Sequence, residues 1–236
     1  MAFSPRNHTL TARDLAALTG IPLPSMYRYI ALLRDTGLLV GDDRGSYRLS
    51  ARLIGLARAA GAAEALIDIA DPYMRDLSTQ TGETVILYRL IARQAVCVHR
   101  VESGQGLRTS IEPGTALPLQ RGASGRLLLA SMPEPAIQEY LAGVREEDPP
   151  AAEKLAEEVR LAGERGWATS EEEIDSGVWA VSAAVTSRSS VVAALTVPSP
   201  LVRAPASLQD LLLNRVRATA AAVSEAFRAA RGLIPT

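Results

Sequence analysis

The stretch TARDLAALTGIPLPSMYRYIALLRDTG, residues 11–37, decides the reading of the first part of this chain. Thr11 precedes an apolar-periodic run as an N-cap, and Asp14 stands three residues on, where a capping-box acid sits. Leu15, Leu18 and Ile21 put apolar side chains on one side, and Gly20 stops the helix in the left-handed conformation glycine tolerates. Pro22 and Pro24 cannot lie in a helix interior, so the next helix is expected to begin near Pro24. From there Met26, Ile30 and Leu33 recur at helical spacing as a buried face, which frees Ser25, Tyr27 and Arg28 to point outward until Gly37 ends the helix. Leu38-Leu39-Val40 and Ser46-Tyr47-Arg48-Leu49 flank the polar tip Gly41-Asp42-Asp43-Arg44-Gly45 and predict a β-hairpin. Two short helices, a tight turn and a small basic hairpin make a winged helix-turn-helix, whose second helix is shaped for a DNA major groove.

Charge distribution agrees with that reading. Residues 1–58 carry eight arginines against four aspartates, a balance of +4, while the whole chain is −1, so the remainder is −5. A basic head on an acidic body is the footprint of a small DNA-reading domain joined to something that does not touch DNA. The chain has 236 residues, 47% hydrophobic and 22% charged, enough for one large or two modest folded domains. A single cysteine, Cys97, excludes an internal disulfide framework and fits a reducing compartment. No run approaches the ~18 apolar residues of a membrane span. The opening MAFSPRNHTL has neither the basic end nor the apolar stretch of a signal peptide. The expectation is a cytoplasmic protein with no membrane partner.

Beyond the hairpin, Ser50 can cap an alanine-rich helix, ARLIGLARAAGAAEALIDIA, suited to a connector. Asp71-Pro72 is expected to kink or restart it, with Tyr73 and Leu77 continuing the apolar stripe to Gly82. From residue 83 the pattern changes to strands: TVILYRL (84–90) and QAVCVHRV (94–101) read as an antiparallel pair about a turn near Arg93. SGRLLLAS (124–131) reads as a short helix after Gln120-Arg121-Gly122, a second helix follows Pro133, and a third covers 151–165 with Leu155, Val159 and Ala162 inward. Val178–Thr186 and Val191–Val197 are strands, and 207–230 is a long amphipathic helix with Leu208, Leu211, Leu212, Val216, Val223 and Phe227 on one face. This segregation predicts an α+β fold with an antiparallel sheet. The expected division is a winged helix-turn-helix over 1–50, a connector helix over 51–63 and the α+β domain over 64–236.

In this order the chain resembles the isocitrate-lyase-regulator (IclR) family of bacterial transcription factors. The resemblance is carried by LTARDLAALTGIPLPSMYRYIALLRDTGLL and YRLSARLIGLARAA in the head. In the body it is carried by DPYMRDLSTQTGETVIL, GTALPLQRGASGRLLLA, ERGWATSEEEIDSGVWAVSAAV and VVAALTVPSP. It implies homodimers or homotetramers on palindromic double-stranded operator DNA, and a small-molecule effector in a GAF-like C-terminal domain. Members of the family open with a helix of about a dozen residues packed behind the recognition helix. Only MAFSPRNHTL precedes Thr11 here, too short and too polar for it, so part of the apolar side formed by Leu15, Leu18, Ile30 and Leu33 is expected to be uncovered. Pro24 stands where relatives often carry a basic residue, removing one phosphate contact.

For DNA, the candidate contacts are Ser25, Tyr27, Arg28, Arg44 and Arg48. Arg28 can pair with guanine in bidentate fashion or hold a phosphate, and one sequence does not separate the two. For the effector, Gly122-Ala123-Ser124-Gly125 opens a helix, where backbone N–H groups and the Ser124 hydroxyl suit a carboxylate. The resemblance adds Leu107, Thr109, Ser170, Val178, Ala180, Thr196 and Pro198 to Ala123 and Ser124 as pocket positions. Relatives that bind small oxo acids are more polar at several of these, with an acid where Ser170 stands, which implies a larger or more apolar organic acid here.

Enzymatic readings find little support. Arg121–Arg126 lacks the closing glycine of a nucleophile elbow. Cys97 and His99, read as facing one side of a strand, find no further Cys or His to complete a metal site. Glu171-Glu172-Glu173 reads as a solvated loop, and Gly104-Gln105-Gly106 as a turn. No catalytic residue, metal or cofactor is expected. The sequence therefore points to a ligand-responsive regulator, and the alternative is a sensor or interaction protein whose head no longer binds DNA.

Overall fold

A computed structural model describes residues 3, 7–42, 45–59, 62–104 and 111–232. The chain divides into two compact units, Met1–Glu64 and Ala65–Thr236.

In the first unit a short strand β1 (Leu10–Thr11) leads into α1 (Ala12–Thr19), α2 (Leu23–Asp35), the hairpin β2 (Leu39–Gly41) and β3 (Ser46–Leu49), and α3 (Arg52–Ala59). β1 pairs with β3, giving an antiparallel sheet of order β1-β3-β2. The capping box forms as the sequence implies: Asp14 N–H donates to the Thr11 hydroxyl at 3.2 Å, and Thr11 N–H donates to the Asp14 carboxylate at 2.9 Å. Gly20 ends α1 at φ +69°. Leu10, Ala12, Leu15, Met26 and Ile30 form the core. Leu18 (59% exposed) and Leu33 (37%) do not join it: Leu33 departs from the buried face expected with Met26 and Ile30, and both belong to the apolar side expected to be partly uncovered, while Leu15 and Ile30 are buried. Ser50 caps α3, accepting from Arg52 N–H at 3.1 Å.

The second unit is a six-stranded antiparallel sheet of order β6-β5-β4-β9-β8-β7 between two layers of helices. Its strands are β4 (Val85–Ile91), β5 (Gln94–Val101), β6 (Ala116–Pro118), β7 (Trp167–Glu171), β8 (Val178–Ser187) and β9 (Ser190–Pro200). On one face lie α4 (Ala62–Thr81) and α8 (Ala206–Gly232), packed through Leu66, Ala70, Met74 and Leu77 and through Leu212, Val216, Ala220, Val223 and Phe227. On the other lie α5 (Gly122–Leu129), α6 (Glu134–Glu147) and α7 (Pro149–Arg165), packed through Leu128, Leu129, Ile137, Leu141, Leu155 and Val159. None of the helices among the described residues is long and apolar enough to cross a membrane.

Three helical expectations need correction. α4 runs through Pro72 without restarting; the loss is one backbone bond, offset by the buried stripe on either side. Tyr73 is 37% exposed and Met74 fully buried, because the stripe follows 66, 70, 74 and 77. On α8, Leu208 and Leu211 are exposed, and the buried face starts at Leu212.

Cys97 and His99 do not share a face. A β-bulge between Leu87 and Tyr88 on one strand and His99 and Cys97 on the other breaks the two-residue alternation. Cys97 is buried with Tyr88 against the α5–α7 layer. His99 Nε2 instead meets an Asp71 carboxylate oxygen of α4 at 2.7 Å.

Candidate functional site

Each unit carries a candidate site. In the first, α2 presents an exposed face opposite Met26 and Ile30. At ~100° per residue, Arg28 lies at the centre of that face, with Ser25 and Leu32 within about 60° of it. Tyr27 lies ~100° away on the flank, so Ser25 and Tyr27 do not project together. Arg28 is exposed, Tyr27 is 53% exposed, and Leu32, missed in the sequence reading, is 60% exposed on the same arc as Arg28. Arg48 is exposed on β3 opposite Val40. Arg44 lies outside the described residues.

In the second unit a small cavity of about 30 Å³ opens beside the N-terminus of α5. Seven of the nine candidate effector positions line it: Ala123, Ser124, Ser170, Val178, Ala180, Thr196 and Pro198. Leu107 and Thr109 lie outside the described residues. The register explains the convergence, since Ser170 pairs with Ala180 and Ala180 with Pro198, while Ile86 pairs with Thr196. Neighbours across four strands thus face α5 together.

The glycines of α5 set its position. A Cβ on Gly125 would lie 2.6 Å from the Leu119 carbonyl oxygen, so the helix sits directly on the preceding turn. Gly122 has φ +77°, and a Cβ there would meet Ile174 at 3.2 Å. All eight residues of α5 are buried, Arg126 among them.

The buried arginine explains the loop that follows β7. Glu173 receives Arg126 Nη1 and Nη2 at 2.7 Å each and Gly122 N–H at 2.8 Å. Arg126 also donates to the Thr169 carbonyl at 2.7 Å, lies 3.3 Å from Glu158, and Arg121 donates to the Glu173 carbonyl. Burial pushes the Glu173 carboxyl up, but the bonds from Arg126 and Gly122 and the Arg126 charge hold it below its ordinary value. Glu173 is therefore no solvated loop residue. It is a carboxylate clamped to the start of α5, an arrangement 47 residues of separation hide from sequence reading.

What remains open to a ligand is selective. Arg121 gives α5 no side-chain cap, and of the first-turn N–H groups Gly122's is taken by Glu173, leaving those of Ala123 and Ser124. The Thr196 hydroxyl is bonded to Ser182 at 2.7 Å. Among the described residues the hydroxyls of Ser124, Ser170 and Tyr88 and the carboxylate of Asp175 have no hydrogen-bond or ion-pair partner. Ile86, Ile111, Leu117, Ile174 and Val178 supply apolar walls. His99 is on the opposite face of the sheet, so it is no base for Ser124.

Residues 60–225 match the family described as bacterial transcriptional regulator IclR C-terminal, and residues 1–43 match the IclR helix-turn-helix domain. The HTH-type transcriptional regulator KipR of Bacillus subtilis is 27% identical over 191 residues, 79% of this chain and 76% of KipR. An IclR homolog from Microbacterium hydrocarbonoxydans, solved in complex with 4-hydroxybenzoate, superposes with a TM-score of 0.77 at 22% identity, over 97% of this chain and 95% of its own. An IclR family transcriptional regulator from Brucella abortus gives 0.76 at 25% identity, over 95% and 87%.

Proposed function

The chain belongs to the IclR family of bacterial transcriptional regulators, and from that premise we propose that it is a cytoplasmic homo-oligomer, dimer or tetramer, whose operator affinity is set by an aromatic or branched carboxylate bound beside α5. The observation that carries the effector half is the cavity itself. Unengaged N–H groups at Ala123 and Ser124 and the Ser124 hydroxyl meet apolar walls from three strands and the Glu173 loop, the composition of a small-molecule site. The Microbacterium homolog, complexed with an aromatic carboxylate, supports the class of ligand.

The cavity of about 30 Å³ has the volume of one water. A ring-sized ligand must spread its walls, so binding and rearrangement are coupled, which is what a regulator requires. The wall most directly engaged is the Glu172–Gly177 loop. It is pinned by Glu173 on α5 and by Gly177 N–H on the Glu172 carboxylate at 2.7 Å.

For DNA, Arg28 at the centre of the exposed face of α2 takes a base edge or a phosphate, Ser25 and Tyr27 flank it, and Arg44 and Arg48 of the hairpin hold phosphates. The reading is of a regulator, not an enzyme. Selection from a pool of random duplexes tests it: a two-fold symmetric site should be enriched, with binding that weakens steeply with salt. Enrichment of no sequence would instead favour a ligand sensor whose head no longer reads DNA.

A further inference from the structure

Arg126 is a buried cation with two carboxylates in reach. Its side chain is 5% exposed, and a guanidinium taken out of water is strongly destabilising unless an anion stays beside it. Glu173 of the loop after β7 serves it through both oxygens at 2.7 Å, and the same carboxylate holds the Gly122 N–H at 2.8 Å. Glu158 of α7 is the second acceptor: one of its oxygens lies 3.3 Å from Arg126 Nη1, and the other is 3.8 Å from the exposed Lys154. The two acceptors face different spaces. Glu173 borders the effector cavity, whereas Arg126 and Glu158 border a second cavity of about 170 Å³ together with Arg165, Trp167 and Thr169. The guanidinium therefore has room to turn towards α7, and its bond to the Thr169 carbonyl at 2.7 Å gives it a pivot. The loop has a closed base, since Glu172 N–H donates to the Val178 carbonyl at 2.8 Å, so residues 173–176 can leave α5 as a unit.

We propose that Arg126 is a two-position switch: Glu173 holds it while the cavity is closed, and Glu158 takes it when a ligand lifts the Glu172–Gly177 loop. This rests on the cavity being the effector site. An arginine clamp with a single carboxylate would resist opening, because release would strand a buried charge. A second carboxylate, on a helix that need not move, removes that penalty and leaves two arrangements between which a ligand can choose. Release has another consequence. The Gly122 N–H, freed from Glu173, joins those of Ala123 and Ser124, so the start of α5 offers an entering carboxylate three donors in place of two. Loop and ligand thus compete for one N–H, and closure opposes occupancy.

The Gly122 amide reports this switch without any ligand, because it exchanges with solvent when Glu173 lets go. Hydrogen exchange of the full chain labelled with 15N-glycine reads it directly, with Gly143 of α6 as the internal control. In Glu158→Gln, where opening strands Arg126, exchange at Gly122 should be about tenfold slower than in wild type. In Glu173→Gln, which loosens the latch itself, it should be several-fold faster. Exchange in Glu158→Gln that is unchanged or faster would overturn the proposal, since Glu158 would then be an ordinary member of the ion-pair network. So would an unchanged rate in Glu173→Gln, since the amide would then not be held by that carboxylate. Benzoate titrated into wild type and Glu158→Gln separates the switch from the site. Affinity about tenfold weaker in Glu158→Gln, although Glu158 does not line the effector cavity, would support the coupling, and equal affinities would overturn it. Binding to neither protein, with exchange slowed as expected, would count against the cavity reading and leave the switch standing.

Discussion

Replacing Gly125 by alanine separates two opposing effects whose sizes can be worked from the structure. In an exposed helix interior, Gly→Ala stabilises by about 1 kcal/mol, because alanine loses less backbone entropy. At Gly125 the new methyl would lie 2.6 Å from the Leu119 oxygen, 3.0 Å from its carbonyl carbon and 3.1 Å from the Pro118 oxygen. These are backbone atoms of the turn that feeds α5, so relief requires moving the helix by most of an ångström. Overpacking of that kind costs about 1–3 kcal/mol, at the upper end when the obstacle is backbone. The expected net is a destabilisation of ~1–2 kcal/mol, a fall of roughly 2–8 °C in Tm for a domain of this size. Gly143, in the exposed part of α6, meets nothing within 4 Å and is the internal control. Gly143→Ala should stabilise by about 1 kcal/mol. Thermal and urea unfolding of both variants reads the pair. A Gly125→Ala protein as stable as Gly143→Ala would refute the claim that α5 rests on the Leu119 carbonyl.

Other outcomes follow from the same contacts. Because the Glu173 carboxyl is held below its ordinary value, its pairing stabilises the fold above about pH 4.5 and is lost as pH falls through the lowered value. Wild type should therefore lose stability between about pH 5 and 3 that Glu173→Gln does not, and superimposable urea profiles across that range would contradict the clamp. Arg126→Met, which leaves Glu173 at the start of α5 without its cation, should cost ~3 kcal/mol and be largely rescued by adding Glu173→Gln. Burial pushes the Cys97 thiol up to about 11, so iodoacetamide at pH 8 should label it only after unfolding; labelling of native protein would place it elsewhere. Arg28→Ala should either lower the salt slope of DNA binding by about one unit, marking a phosphate contact, or relax preference at one base pair by about 1–3 kcal/mol, marking guanine. No change in either quantity would remove Arg28 from the interface.

The head was legible because its signals are local. Thr11 and Asp14 lie within one turn, Gly20 and the prolines punctuate the chain, and Met26 and Ile30 share a face. Pairing partners at a distance were not legible: β1, β6 and β7 are short strands without strong alternation, visible only once β3, β5 and β8 exist to pair with them. The effector positions carried over from the resemblance do converge on one cavity where they are described, yet the side chains that shape its chemistry were misjudged or passed over. Glu173 looks like one of three solvated acids until Arg126 is buried opposite it. Tyr88 looks like ordinary core until it is found lining the cavity. Cys97 and His99 illustrate the limit best, since a single bulge reverses the face that a two-residue spacing implies.

The most direct test of a ligand-controlled DNA reader is the linkage between its two sites. Fluorescence anisotropy of the full chain on the duplex recovered by selection, titrated with and without the tightest-binding acid, measures it. Coupling of this kind is typically 5–150-fold, and by reciprocity the DNA should shift acid affinity by the same factor. The account predicts a shift of at least several-fold that Ser124→Leu, which fills the cavity, abolishes while leaving ligand-free DNA binding intact. DNA affinity that stays constant at saturating acid, with the acid shown to bind, would contradict it.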